Sequence, residues 1–597
     1  MVRTRSDEVK RQSDLLGVDL GHLADEVAAA KEYQEGWLSD LPLLYDELWP
    51  GRVENSTHVL TDQRPSRRLL FQHMSALIPK LIWGNPRVNV GSTKRDLRTV
   101  GAQALHLGMN DWIVQRDYRS PALRTAYDYM LKWSVTHTRV ARISGLPRFS
   151  FKDPQTGRTR RAASFPHWPE VTQVPISTYF HDHKSLNPFE ARFRCQRVAR
   201  PRAWLMKMAQ TNPGSGWNMS VIDKVGGAEL ETTRDRGTGP TRDDIVMDLV
   251  WVPEYALDPK LRPEDGYNGT LFHLLTDDAT DVNGNSMAGV QPREPQAYYG
   301  PPDGPWDLGG AYWPNDESYP YGPAEGTSGI RNMAEELALS EYKAMKAYKR
   351  MIWAKNTEAG FGNKIKNAPD QYIFEYNSES PKEAVINNLE IGGTTPHGTA
   401  QVETLVRDVE QAAGMQSARS GGLSSGKNTA TEHALADQGA AVREGFNQKE
   451  FVAHHSRTLR KVAWYMHRTK RIMFPLRPDR SVDPRADVIM QQPWFHGGSQ
   501  EGEPLDSFEA MGFEVEATSM SRADEAQQQR NALILNENLQ WMIPMAAQVP
   551  GFPWKRLGQL LGDGLNINGV DELLSDYVDW LEENGMPVSP DPLNASM

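Results

Sequence analysis

The order of elements in this chain is set by one stretch, which opens with Ile330–Lys355, IRNMAEELALSEYKAMKAYKRMIWAK. Ile330, Met333, Leu337, Tyr342, Met345, Tyr348 and Ile352 form a stripe at near-helical spacing. The spacing predicts one amphipathic helix, roughly 40 Å long at 1.5 Å per residue. Residues 358–397 follow, rich in Gly and Asn, with short strands expected at Tyr372–Tyr376 and Ala384–Ile391. A second helix is predicted over 399–415, with Val402, Leu405, Val406, Val409 and Ala413 as its stripe. The polar loop 417–428, SARSGGLSSGKN, then leads into a third long helical run, Thr429 to Met473. Helices this long exceed what a compact monomer core needs.

Working outward, residues 1–35 are charged and polar and read as a helical or loosely ordered arm. Leu69, Phe71, Met74, Leu77, Ile78, Leu81 and Ile82 predict a helix that Pro79 should kink. Arg87–Val90 alternates like a strand, and Thr93–Met130 reads as helical. Strands are expected at Val140–Ile143, Phe149–Phe151, Ile245–Val252, Thr270–Thr276, Asp487–Gln491 and Phe513–Ala517. A helix is expected at Glu190–Ala209, and further helices over Ser521–Glu583. The Pro-, Gly- and Tyr-rich stretch 290–326 predicts a long ordered loop, ill-suited to helix or central strand. The fold class expected is α+β, predominantly helical.

Composition narrows the function. At 597 residues the length suggests roughly four domains or one large assembly. Lys+Arg is 66 against Asp+Glu 77, a formal charge of −11, which argues against a protein that coats DNA. The single Cys195 excludes an intramolecular disulfide and fits a reducing cytoplasm as the place of synthesis. Met1–Lys10 has no apolar core, so no signal peptide is expected. The most apolar segment, Leu69–Trp83, is broken by Gln72, His73, Pro79 and Lys80 and reads as a buried helix, with no membrane span.

Few motifs carry chemistry. Gly421-Gly-Leu-Ser-Ser-Gly426-Lys427 matches the glycine and lysine positions of a phosphate-binding P-loop. Asn428 stands where the magnesium-binding hydroxyl belongs, a helix pattern replaces the preceding strand, and no acidic partner strand follows. A flexible polar loop explains the segment better. His181-Asp-His183 offers two potential metal ligands without a third, and reads as a surface or turn pair. His454 and His455 are adjacent on a helix and point to different faces. Asp281-Val-Asn-Gly-Asn285 begins like a calcium loop, but Ser286 and Pro292 occupy its critical positions, leaving a hairpin turn. Helix 429–473 is the one basic element, with Arg443, Lys449, Arg457, Arg460, Lys461, Arg468, Lys470 and Arg471. It is either a solvent-facing helix or a surface facing phosphates.

Taken in order, these elements resemble the portal proteins of tailed bacteriophages. The resemblance rests on Pro86-Arg-Val-Asn-Val90 after a helix, the helix pair 94–137, and Trp251-Val-Pro253 closing a strand. It continues with Tyr319-Pro-Tyr-Gly322 and Gly326 before the long helix, and with Thr429-Ala430-Thr431-Glu432 at the head of the next. It covers most of residues 50–580. It implies an elongated subunit: an arm over 1–35, a wing over 36–325, a descending stem helix over 326–357, and a clip over 358–397. A returning stem helix would occupy 398–416, a tunnel loop 417–428, a channel-side helix 429–473, wing strands 474–520 and crown or barrel helices 521–597.

The function implied is a dodecameric ring at one capsid vertex, made in the host cytoplasm and built into the virion. Double-stranded DNA would be packaged and ejected through it. Its partners would be a terminase packaging motor, a head-tail adaptor, and capsid and scaffolding proteins. The resemblance implies no catalysis, cofactor, metal or membrane. Arg419, Lys427, Arg443 and Arg457 would meet DNA in the channel, with Gly421, Gly422 and Gly426 loosening the loop. The competing expectations are a P-loop NTPase or packaging-motor subunit using Gly421–Lys427, and another virion adaptor or tail protein.

Overall fold

In a computed structural model, the residues described are 7–16, 19–49, 69–92, 100–142, 150–152, 159–161, 167–226, 244–257, 267–281, 283–346, 349–353, 387–391, 396–412, 430–468, 508, 511–515, 520 and 533–534. They fall in two compact units, Met1–Val515 and Glu516–Met597. The helices expected over 521–583, and the strands at 372–376 and 487–491, lie outside the described residues apart from Leu533 and Ile534.

The first unit combines helices and sheets in an α+β arrangement. Its helices are α1 (Asp7–Leu16), α2 (Leu20–Trp37), α3 (Leu41–Leu48), α4 (Leu69–Leu81), α5 (Val100–Gln115), α6 (Arg119–Leu131), α7 (Arg202–Thr211) and α8 (Met219–Lys224). These are followed by α9 (Ser328–Lys346), α10 (Pro396–Ala412) and α11 (Ala430–Arg468). Strands β1 (Val88–Ser92) and β14 (Met511–Val515) pair antiparallel across most of the chain's length. Between them in sequence come β2 (Ser134–Arg142), the small hairpin β3 (Ser150–Lys152) and β4 (Thr159–Arg161), β5 (His167–Val174), β6 (Tyr179–His181) and β7 (Arg194–Pro201). Strands β8 (Asp244–Val252), β9 (Thr270–Leu275), β10 (Arg293–Ala297), β11 (Trp306–Gly309), β12 (Lys349–Trp353) and β13 (Asn387–Ile391) complete the set.

Two sheets make the body. The larger has five antiparallel strands in the order β10-β9-β8-β7-β6, and the smaller has the order β11-β2-β5. Alternation along β8 shows how the core is divided. Val250 and Val252 pack with Val9, Leu20 and Val27 of α1 and α2 and with Leu205 and Val221 of α7 and α8. Leu249 and Trp251 face the other way, into an aromatic core with Trp133, Tyr179, Tyr298, Trp306 and Tyr319. The five-stranded sheet is therefore sandwiched between helices and the smaller sheet. Both strands drawn from the 290–326 stretch, β10 and β11, are sheet edges, as its prolines and glycines require.

Four expectations need correction. Of the two readings of 1–35 the helical one holds, but it is not a separate arm: Val9, Leu20, Val27 and Ala30 are core residues, and α2 runs through the 35/36 boundary. The helix expected over Glu190–Ala209 begins only at Arg202, because residues 194–201 are β7, held between β6 and β8. The helix expected to reach Lys355 ends at Lys346, and Lys349–Trp353 pairs as β12 with β13. His181 is not at the surface; it is fully buried in β6, with its ring 4.4 Å from that of Tyr319. Other elements fall where the periodicity put them. They include α4 with Pro79 inside it, β8, β9, β14 and α10, whose Val402 and Val409 are buried.

Candidate functional site

Arg419, Gly421, Gly422, Gly426, Lys427 and Thr429 lie outside the described residues. Ala430, Thr431 and Glu432 form the first turn of α11, and Arg443 lies within the same helix. Arg457 is described in full, and it does not face outward as a channel cation would. It is half-buried, its Nη2 donates to the Leu308 carbonyl at 3.0 Å, and its guanidinium lies 4.9 Å from the Phe189 ring centre.

Arg457 belongs to a polar seam along the inward face of α11. Strand β11 is the edge of the smaller sheet, so its outward carbonyls, Trp306 and Leu308, have no neighbouring strand among the described residues. Side chains of α11 take that place. Lys461 Nζ donates to Trp306 O at 2.9 Å and Arg457 caps Leu308 O. Lys461 is 2% exposed and forms an ion pair with Asp307 Oδ1 at 2.9 Å; Asp307 is 1% exposed. Burial pushes the Lys461 ammonium down from its ordinary value, and Asp307 pulls it back. Arg194, also buried, gives hydrogen bonds to the carbonyls of Pro188, Phe189, Asp303 and Trp306. The basic residues that made this helix look like a phosphate-facing surface are, at 457 and 461, holding down a strand edge.

The adjacent histidines complete the seam. His454 and His455 are both fully buried. Thr125 already donates its hydroxyl proton to Ala122 O at 2.7 Å, so toward His455 Nε2, 3.2 Å away, it can only accept. Nε2 of His455 therefore carries the hydrogen, and Nδ1 accepts from the Tyr118 phenol at 2.7 Å. The ring is a neutral bridge between α11 and the α5–α6 corner. Burial, first of all, holds both histidines well below the usual range, and Arg457 adds to the effect on each. His454 packs so closely on β11 that a Cβ at Gly309 would overlap its ring. Gly309→Ala is expected to cost ~2 kcal/mol by overpacking, read as a lowered urea midpoint. Gly329→Ala, with open space around it, should change stability by no more than ~0.5 kcal/mol.

The second arrangement is the pair α9 and α10, which pack against each other, with β12 and β13 antiparallel beyond them. The root of α9 is fixed by Arg331, whose Nε lies 2.6 Å from Glu47 Oε1 on α3. Arg331 Nη1 also donates to Ala324 O at 3.1 Å and Thr327 Oγ1 at 3.0 Å. Burial pushes the Glu47 carboxyl up, against the pull of Arg331. Along α9, Met333 is 60% and Met345 54% exposed, so part of the stripe seen in the sequence is uncovered in the single chain.

The remaining candidates are absorbed by the fold. Asp182 accepts from Arg192 Nε at 2.7 Å, and His183 stacks on Tyr33. The Asp281 carboxylate accepts from the backbone N–H groups of Asn283 and Asn285 at 2.7 and 2.8 Å, closing the expected turn with Gly284 at φ 84°. Among the described residues, no group of three or more His, Cys, Asp or Glu side chains is placed to hold a metal ion. No described helix is long and apolar enough to cross a membrane. No protein-family model matches the sequence, and no curated protein matches it.

Proposed function

We propose that this chain is the subunit of a tailed-phage portal ring, a conduit for double-stranded DNA that docks a packaging motor and a head-tail adaptor. The observation that carries the reading is the path of the chain from 328 to 412. It runs out along α9, passes through antiparallel β12 and β13, and returns along α10 packed on α9. Such a helical rod with an insert at its tip suits a tube wall, and the uncovered methionines of α9 suit burial against the next copy. The pairing of β1 with β14 fits a wing that the chain leaves and rejoins.

The acidic balance also suits a conduit. Twelve copies at −11 each carry roughly −130, which keeps the ring soluble and its bore slippery to another polyanion. Arg419 and Lys427 remain the proposed points of contact with DNA, in a loop of glycines and serines. Arg457 does not, since its guanidinium is spent inside the fold.

Mass photometry and negative-stain imaging of the purified protein test this. Rings near 806 kDa are expected, about twelve copies of 67.2 kDa. A monomer or hexamer under all conditions would overturn the reading. So would ATP hydrolysis that disappears in Lys427→Ala, which would make the loop a nucleotide site.

A further inference from the structure

We propose that a strip of aromatic rings shared by α2, the 312–321 segment and α11 is a docking surface for an arginine-bearing segment of a partner protein. The inference does not rest on the portal reading.

Three separate parts of the chain build the strip. Tyr312 and Tyr321 form an antiparallel bridge, in which the Tyr312 N–H donates to Tyr321 O at 3.2 Å and the Tyr321 N–H to Tyr312 O at 2.8 Å. Directly opposed residues of an antiparallel pair send their side chains to the same face. Phe446 of α11 stacks on Tyr312 at 5.7 Å, with the ring planes 21° apart. Trp37, the last residue of α2, lies 4.8 Å from the Tyr321 ring. Phe446, Tyr312, Tyr321 and Trp37 therefore follow one another without a gap. The first three are each 43% exposed, and Trp37 is half-buried. Aromatic side chains with few rotatable bonds are the usual anchors of protein interfaces.

Charge decides what the strip takes. Glu317 accepts from the phenol of Tyr33, one turn before Trp37 on α2. Asp40 stands three residues beyond Trp37, with its side chain 46% exposed. Glu325 accepts from the Gly322 N–H at 2.8 Å, beside Tyr321. Glu450 lies one turn beyond Phe446 on α11. Against these four carboxylates stand two ammonium groups. Lys132 is buried and paired with both Asp40 and Glu325, and Lys449 is exposed on α11. The strip has an acidic rim.

The same fold shows what its half-exposed rings attract. Arg457 lies over Phe189 at 4.9 Å and Arg200 over Trp204 at 5.9 Å. Among the described residues no cation lies over Phe446, Tyr312, Tyr321 or Trp37. A guanidinium stacks its plane on an aromatic face while its edge bonds a carboxylate, a combination the compact ammonium of lysine lacks. Rings and rim together therefore select arginine.

Fluorescence anisotropy with the full-length protein tests the proposal. The probes are fluorescein-labelled peptides of alternating Gly and Arg, and of alternating Gly and Lys. Saturable binding is expected, with the arginine peptide at least about three-fold tighter. Tyr312→Ser combined with Tyr321→Ser should weaken the arginine peptide at least about ten-fold and erase its advantage over lysine. Phe446→Ser, which removes a ring supplied by a different element, should act in the same direction. Circular dichroism of each variant should match the wild type, since these side chains are exposed. Equal affinity for the two peptides would overturn the proposal, because it would leave only the general attraction of an acidic chain. So would binding that survives the ring variants. A drop in particle mass in the Tyr312→Ser, Tyr321→Ser protein, read by mass photometry, would overturn it as well by assigning the strip to a second copy of this chain.

Discussion

Taking the protein from pH 7 to pH 5 is expected to unfold its first unit, and the cause is a set of buried neutral histidines. His73 is held down at about 4, and His181 and His273 at about 3, in each case chiefly by burial. Nearby cations add to this: Arg331 beside His73, Arg194 beside His181 and Arg293 beside His273. Unfolding returns each to an ordinary value near 6.5, so below that pH the unfolded chain binds more protons than the folded one. The stabilisation is complete above about pH 6.5 and is lost as pH falls toward 3 to 4. At pH 5 each histidine forfeits about 2 kcal/mol, or ~6 kcal/mol for the three. His454 and His455 act in the same direction. Glu47 and Glu325, whose carboxyls burial pushes up, act in the opposite one. Since a whole domain is stable by only about 5–15 kcal/mol, the midpoint should lie near pH 5. Tryptophan fluorescence should report it, because Trp112, Trp133 and Trp306 are fully buried. An unchanged spectrum down to pH 4 would contradict the argument. His273→Leu should flatten the titration by one proton.

Legibility in the sequence followed how local each decision was. Helix α10 and strands β8 and β9 declared themselves because their apolar spacing agrees with their environment. The end of α9 did not, because Lys349–Trp353 becomes a strand only through a partner at 387–391. The run Arg-Met-Ile-Trp, with one β-branched and one aromatic residue, was the available hint. The Glu190–Ala209 stretch failed for the same reason: β7 is a strand because β6 and β8 flank it. For α2 the signal was present and faint. Leu20, Ala24, Val27, Ala30 and Gln34 recur at threes and fours, but small residues make much of that face, so its charges dominated the reading. In α11 the buried Lys461 fits neither a solvent-facing helix nor a phosphate-facing surface. Phe451, His455, Thr458, Val462 and Tyr465 lie on one helical stripe, and His454 and Lys461 flank it. A cation beside a core stripe points to a buried partner, which here is Asp307. Thr431, Glu432 and Arg443 fall within α11, inside the long helical run the sequence predicts from Thr429.

Lys461→Met should cost ~3–5 kcal/mol, the largest loss expected from any single surface-preserving change along α11. The substitution nearly conserves volume, so little of the effect can come from a cavity. What it removes is the cation beside the buried Asp307 carboxylate and a donor 2.9 Å from the Trp306 carbonyl. Trp306 O keeps Arg194 Nη1 at 3.2 Å, so the carbonyl remains satisfied. The loss is therefore chiefly that of a charge left in a low-dielectric site, and it makes a second result predictable. Lys461→Met combined with Asp307→Leu takes out both charges and should recover most of the stability, because the pair's attraction roughly offsets the cost of desolvating it. Urea denaturation of the two single variants and the double variant gives the coupling directly. A coupling below ~1 kcal/mol would mean that α11 is held by its apolar contacts alone. A coupling of several kcal/mol would place the lock between helix and sheet edge at Lys461 and Asp307. In that case the Lys461→Met protein should unfold at temperatures where the wild type stays folded, while the double variant stays folded with the wild type.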